Sequence, residues 1–99
     1  MSSVFKALSD PTRRRVLQLL RDKPMSAGDL SEQFDVSKPT MSAHFAVLRE
    51  AGLVHAEKAG KQVLYHLQLS VLEDALLGFM QSFGQGEGAP AATNKEIAP

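Results

Sequence analysis

With 99 residues and 10.7 kDa, the chain has room for one small domain and too little length for an enzyme built around a deep substrate cleft. A composition of 43% hydrophobic and 22% charged residues excludes a wholly disordered or fibrous protein, and the absence of cysteine removes disulfides, thiolate metal sites and cysteine nucleophiles together. The formal charge is zero but uneven: residues 1–69 hold 10 Lys and Arg against 7 Asp and Glu, whereas 70–99 hold 1 against 4.

Val4, Phe5 and Leu8 share one helical face, and Ser9-Asp10-Pro11 ends that first helix. Asp10 can cap a second helix, with Pro11 in its first turn and Val16, Leu17, Leu19 and Leu20 as its apolar stripe up to Arg21. Ser26 and Asp29 form a near capping box for a short third helix that ends near Phe34, with Leu30 and Phe34 facing inward. Three residues on, Ser37 can cap a fourth helix with Pro39 in its first turn. Met41, Phe45 and Leu48 then lie on one face, Lys38, Thr40, Ser42, Ala43 and Arg49 lie outside, and Gly52 stops the helix.

From Leu53 to Leu69 the period changes to two, with Val54, Ala56, Val63, Tyr65, Leu67 and Leu69 alternating with polar residues around Lys58-Ala59-Gly60-Lys61, which predicts a β-hairpin. Ser70 and Glu73 predict a capping box for a last helix carrying Leu72, Leu76, Phe79, Met80 and Phe83 on its apolar side. The expected order is four helices, a hairpin and a helix over residues 1–83, followed by a disordered tail, 84–99, too poor in large apolar residues to repay its ordering entropy. No apolar run approaches the roughly 18 residues of a membrane span, and the N-terminus lacks the apolar core of a signal peptide, so a cytoplasmic protein is expected.

Two short helices joined by a tight turn, followed by a two-stranded ribbon, describe a winged helix-turn-helix: a mostly α fold with a β-hairpin wing. Small residues at the start of the fourth helix keep it slim enough for a major groove about 12 Å wide, and Lys38 and the helix N-terminus attract phosphate. Ser37, Lys38, Thr40, Ser42 and His44 are the expected base or phosphate contacts, with Lys58 and Lys61 as clamps at the hairpin tip. Periodicity alone is equally consistent with a solvated amphipathic helix, and hairpin lysines also serve to keep an exposed edge soluble. Arg13, Arg14 and Arg15 fan around their helix, so at most one or two can meet phosphate.

A domain this small gains from burying surface on a partner. Leu72, Leu76, Phe79, Met80 and Phe83, with Val4, Phe5 and Leu8, form a candidate two-fold interface, the other reading being an intramolecular core. Such a dimer would set two recognition helices about 34 Å apart, facing an inverted repeat. No Ser-His-Asp spacing, glycine-rich phosphate loop or His-Glu-x-x-His motif is present, so no catalytic residue is expected. His55 and His66 could pair only if the hairpin register sets them opposite, and Zn²⁺ wants three or four ligands, so no metal site and no cofactor are expected.

Three blocks, Phe5 to Leu20 (FKALSDPTRRRVLQLL), Ser37 to Val54 (SKPTMSAHFAVLREAGLV) and Gly60 to Leu67 (GKQVLYHL), resemble the ArsR family of bacterial winged-helix repressors, and the opening Val4 to Asp10 resembles its SdpR-like autorepressor branch. The resemblance covers residue 4 to about 83. It implies a homodimer joined through the first and last helices, which sits on an operator in double-stranded DNA until an inducer, unidentified here, releases it. Carried over, the family's base-reading segment falls on Ser37, Lys38, Thr40, Ser42, Ala43 and His44, and its wing contact on Lys61. Ala43 stands where many members have histidine, though a small residue can still touch a thymine methyl. The thiolate site of metal-sensing members has no counterpart in Ala27 to Gln33, and the last helix has no histidine for their second site. The expectation is an autoregulatory repressor without metal control; the alternative is a winged-helix module that binds protein, or a repressor controlled by a protein or membrane partner.

Overall fold

The computed structural model describes residues 3–84. In chain order these form α1 (Ser3–Leu8), α2 (Pro11–Asp22), β1 (Met25–Ser26), α3 (Ala27–Glu32), α4 (Lys38–Glu50), β2 (Val54–Ala59), β3 (Gln62–Leu67) and α5 (Leu69–Gly84). This is the winged helix-turn-helix order, with one added strand. The expected tail lies outside the described residues, apart from Gly84, which closes α5.

Local chemistry sets each helix start. The Asp10 carboxylate accepts from the Thr12 N–H (2.8 Å) and the Arg13 N–H (3.2 Å), and Pro11 leaves no donor to satisfy. Ser26 Oγ accepts from the Asp29 N–H (3.0 Å) at α3, and Ser37 Oγ from the Thr40 N–H (3.3 Å) at α4. α4 ends in a Schellman motif: the Gly52 N–H donates to Arg49 C=O (2.9 Å) and the Leu53 N–H to Leu48 C=O (3.1 Å), with Gly52 at φ +75°. Leu48 and Leu53, at the two ends of that motif, are both fully buried.

Three expectations are corrected. α3 ends at Glu32, not near Phe34, because Gln33 and Phe34 donate to Leu30 and Ser31 in i→i−3 bonds that tighten the last turn; five residues, not three, connect it to α4. The Ser70–Glu73 capping box does not form: the Val71 N–H donates to Gln68 C=O (3.1 Å), α5 starts at Leu69, and Ser70 lies inside its first turn. Leu69 is therefore helical rather than the end of the hairpin. The ribbon is also not two-stranded, since β1 adds to it through Met25↔Tyr65 and Ser26↔Leu64, giving the antiparallel order β1-β3-β2. Two residues are too few to show a period, and Ser26 both pairs in the sheet and caps α3.

The core joins α2 (Val16, Leu17, Leu20), Leu30 of α3, α4 (Met41, Phe45, Leu48) and the sheet (Val54, Tyr65). Phe45 and Tyr65 pack with ring centroids 4.9 Å apart, which fixes the recognition helix against the wing. α5 contributes no buried residue. The Cα radius of gyration is 16.6 Å, against about 12 Å for a compact chain of this length, and the long axis measures 52 Å.

A Cβ placed on Gly52 would have room, its nearest neighbour being Val71 Cγ1 at 3.7 Å, so any penalty comes from the backbone alone. Gly52→Ala is expected to cost about 1–2 kcal/mol, which thermal denaturation would read as a drop of at least about 4 °C.

Candidate nucleic-acid interface

The first turn of α4 is built to be slim and polar. Ser37, Lys38, Thr40, Ser42 and Ala43 are all exposed, while Met41, Phe45 and Leu48 anchor the opposite side. Ser37 Oγ donates to Thr40 Oγ1 (2.9 Å), which leaves the Thr40 hydroxyl hydrogen to turn outward. Pro39 has no N–H and the Thr40 N–H is taken by Ser37, so the Lys38 amide is the backbone donor this helix end still offers, beside the Lys38 ammonium and the Thr40 hydroxyl.

His44 is placed differently from its neighbours. Its side chain is only 14% exposed; Nδ1 lies 3.2 Å from Arg13 Nη1, and Nε2 lies 3.9 Å from the Asp10 carboxylate. A guanidinium can only donate, so this contact takes the Nδ1 lone pair and sets the ring proton on Nε2, facing Asp10. The same guanidinium donates through Nε to Ala7 C=O (2.8 Å) and through Nη2 to Lys6 C=O (3.0 Å). Arg13 thus ties the end of α1 to α4, and Arg14 donates to Leu8 C=O (2.8 Å) beside it. Two of the three consecutive arginines are therefore committed to backbone carbonyls. This tertiary role leaves no mark on sequence periodicity.

Burial pushes the Asp10 pKa up, but the Arg13 and Thr12 N–H donors, then the facing His44 ring and the Arg13 guanidinium, hold it below the usual carboxylate value.

In the wing, β2 and β3 pair from Val54↔Leu67 to Ala59↔Gln62, with Gly60 (φ +64°) and Lys61 at the tip. Lys58 and Lys61 are exposed there. The register does set His55 opposite His66, with ring centroids 6.1 Å apart, but His66 Nε2 is taken by Glu57 Oε1 at 2.7 Å. Among the described residues no group of three or more His, Asp or Glu side chains is arranged to hold a metal ion.

Between α3, α4 and β3 runs a groove of about 560 Å³, with Lys38, Ser42 and Arg49 along one side and Val63 and Tyr65 along the other. Arg49 is the residue that sequence reasoning left out of the site; its spacing from Lys38 and Ser42, eleven and seven residues, places all three on one stripe. Both ion pairs among the described residues involve histidine, so Lys38, Arg49, Lys58 and Lys61 have no carboxylate partner there. Unneutralised cations around a slim helix end are what a phosphate backbone requires.

Residues 8–57, from the end of α1 into the wing, match the model of a helix-turn-helix domain. The chain is 39% identical over 87 residues to the transcriptional repressor SdpR of Bacillus subtilis, covering 88% of this chain and 97% of that one. It is 38% identical over 73 residues to the arsenical resistance operon repressor of Staphylococcus xylosus, covering 74% and 70%. The crystal structure of an ArsR family transcriptional regulator superposes with a TM-score of 0.72 at 29% identity, covering 82% of this chain and 91% of that one.

The chain belongs to the ArsR family of winged-helix transcriptional repressors.

Against that family frame, the candidate interface residues divide in two. Val4 is buried in the core of its own chain, and Phe5, Leu8 and Leu72 are half-buried, with Phe5 packing on Phe79 at 5.2 Å. Leu76, Phe79, Met80 and Phe83 are exposed, joined by Leu69 and Leu77, which the sequence did not place in the interface. Among the described residues, no helix is long and apolar enough to cross a membrane.

Because the Asp10 pKa is depressed in the folded state, its contribution to stability is present above the unfolded value of about 3.9 and lost as pH falls through the folded value. Asp10→Ala is expected to cost about 1 kcal/mol in urea unfolding at pH 7, and the gap between variant and parent should narrow by pH 3.

Proposed function

We propose that the chain binds an inverted-repeat operator as a homodimer, represses its own transcription, and is released by a signal other than a metal ion. The observation that carries this reading is the exposed first turn of α4, framed by four cations without ion-pair partners among the described residues. Ser37, Thr40, Ser42 and Ala43 face the base edges, the last offering a methyl-sized surface to thymine. Lys38 and Arg49 meet phosphate along the groove, and Lys58 and Lys61 meet it at the wing. His44 acts as a positioning residue, held by Arg13 and Asp10, so that the reading face enters the groove at one angle.

The apolar face of α5 and its aromatic contact with α1 support pairing of two copies, which sets the recognition helices one helical turn, about 34 Å, apart. A signal that re-angles this interface removes both helices from register. The resemblance of Val4 to Asp10 to autorepressors supports an operator upstream of the chain's own gene. The absence of cysteine, and of any candidate metal-ligand group among the described residues, supports control by something other than metal.

Fluorescence anisotropy on DNA from immediately upstream of the gene, against scrambled DNA over a salt series, tests this reading. Tight, salt-sensitive binding to the upstream DNA is expected. Lys38→Ala and Lys61→Ala should each weaken binding and flatten the salt slope by roughly 1 per lost phosphate contact; unchanged affinity in both variants would remove this DNA face. Added Zn²⁺, Ni²⁺ or arsenite should leave operator affinity unchanged. A tenfold stoichiometric loss, about 1.4 kcal/mol of coupling, would overturn the non-metal reading.

A further inference from the structure

Four elements meet around one apolar pocket of about 190 Å³. Leu8 of α1, Leu17 of α2, Leu67 of β3, and Leu69 and Leu72 at the root of α5 form its walls, so the body of an occupant meets hydrocarbon and must itself carry no polar group there. A cavity of about 150 Å³ accommodates a benzene ring, so this one has room for a phenyl group and a short arm.

The mouth has the opposite character. Arg14, Gln18 and Arg21 line it from α2, where spacings of four and seven residues put them on one stripe, and the lining contains no carboxylate. Arg14 donates one N–H to Leu8 C=O (2.8 Å), and Gln18 Oε1 accepts from Arg15 (3.3 Å), which leaves the Gln18 amide hydrogens available. Arg21 has no hydrogen-bond or ion-pair partner among the described residues. A guanidinium recognises a carboxylate through two parallel N–H bonds, so one open fork above a ring-sized leucine pocket describes a ligand with one carboxylate and one aromatic ring.

We infer that this pocket binds a small aromatic monocarboxylate, its ring among the leucines and its carboxylate on the Arg21 fork, with Arg14 and Gln18 beside it. The role of that ligand rests on the repressor reading above, whose non-metal signal it names by chemical class. A molecule that touches α2 and β3 of the reading head and the root of α5 at once has a different affinity for each angle at which α5 leaves the head, and that difference is what shifts the repressor away from its DNA-bound arrangement.

Phenylacetate is the probe, with para-fluorophenylacetate as its fluorine-NMR reporter and with phenylacetamide and acetate as controls that lack the charge or the ring. Titrated into the full-length chain without DNA, phenylacetate should bind with millimolar or tighter affinity and shift the methyl signals of Leu69 and Leu72. Phenylacetamide and acetate should each bind at least about tenfold more weakly. Arg21→Gln, a change at an exposed position, should weaken phenylacetate about fivefold and leave phenylacetamide unmoved, whereas Leu69→Ala should weaken both. In operator anisotropy, saturating phenylacetate should lower the affinity of the parent at least about threefold, and Arg21→Gln should need about fivefold more ligand for the same effect. Equal binding of phenylacetate and phenylacetamide, or no shift at Leu69 and Leu72, overturns the carboxylate site. Methyl signals that move with protein concentration and not with ligand give the pocket to a second copy, which overturns it as well. Binding at the pocket with operator affinity unchanged overturns the signal role and leaves the repressor reading. A chain that binds phenylacetate but never its upstream DNA overturns the repressor reading and leaves the pocket.

Discussion

One guanidinium ties the first helix to the helix that carries the candidate DNA face. Arg13 donates to two carbonyls at the end of α1 and contacts His44 of α4, while the backbone N–H of the same residue helps to satisfy the Asp10 cap. α1 is only six residues long and could not persist alone, so its last carbonyls need these donors. Arg13 is tied to both helices, and α1 in turn packs on α5 through Phe5 and Phe79. A change at the far end of the molecule thus has a continuous packed route to the reading face.

The energetics of the two halves differ. The helix-turn-helix and wing close a core in which Leu30, Leu48 and Leu53 are fully buried, and every buried side-chain polar atom described has a partner. α5 buries nothing completely and presents a row of large apolar residues to water. An exposed surface of that kind marks an interface. In the proposed reading the globule reads DNA, while the helix that extends from it sets the distance between two readers. Separating these tasks lets a signal act on the interface without disturbing the fold of the reading head.

Where one residue's chemistry or a regular period decides the structure, the sequence was legible. Asp10-Pro11 and Ser37 with Pro39 announced the starts of α2 and α4, and the cap geometry is present at both. The alternation of Val63, Tyr65 and Leu67 predicted the wing strand, but its register, which sets His55 opposite His66, was left open. What was not legible depends on contacts distant in sequence. β1 is two residues whose strand character comes wholly from pairing with β3. His44 has the composition of a base contact, and only its approach to Arg13, thirty-one residues away, draws it to the inner flank. Arg49 entered the site because the wing folds back beside α4, forming a groove that helical spacing cannot foresee. The start of α5 was misplaced because a plausible Ser70–Glu73 box competed with a backbone bond from Val71 to Gln68, and the backbone bond won.

The central claim is that two copies present the first turn of α4 to successive major grooves on one face of a duplex. Hydroxyl-radical footprinting of the dimer on DNA upstream of its gene tests this most directly. The account predicts two protected stretches, symmetric about a centre and one helical turn, about 34 Å, apart. Protection spread evenly along the DNA, or equal on scrambled sequence, would contradict it.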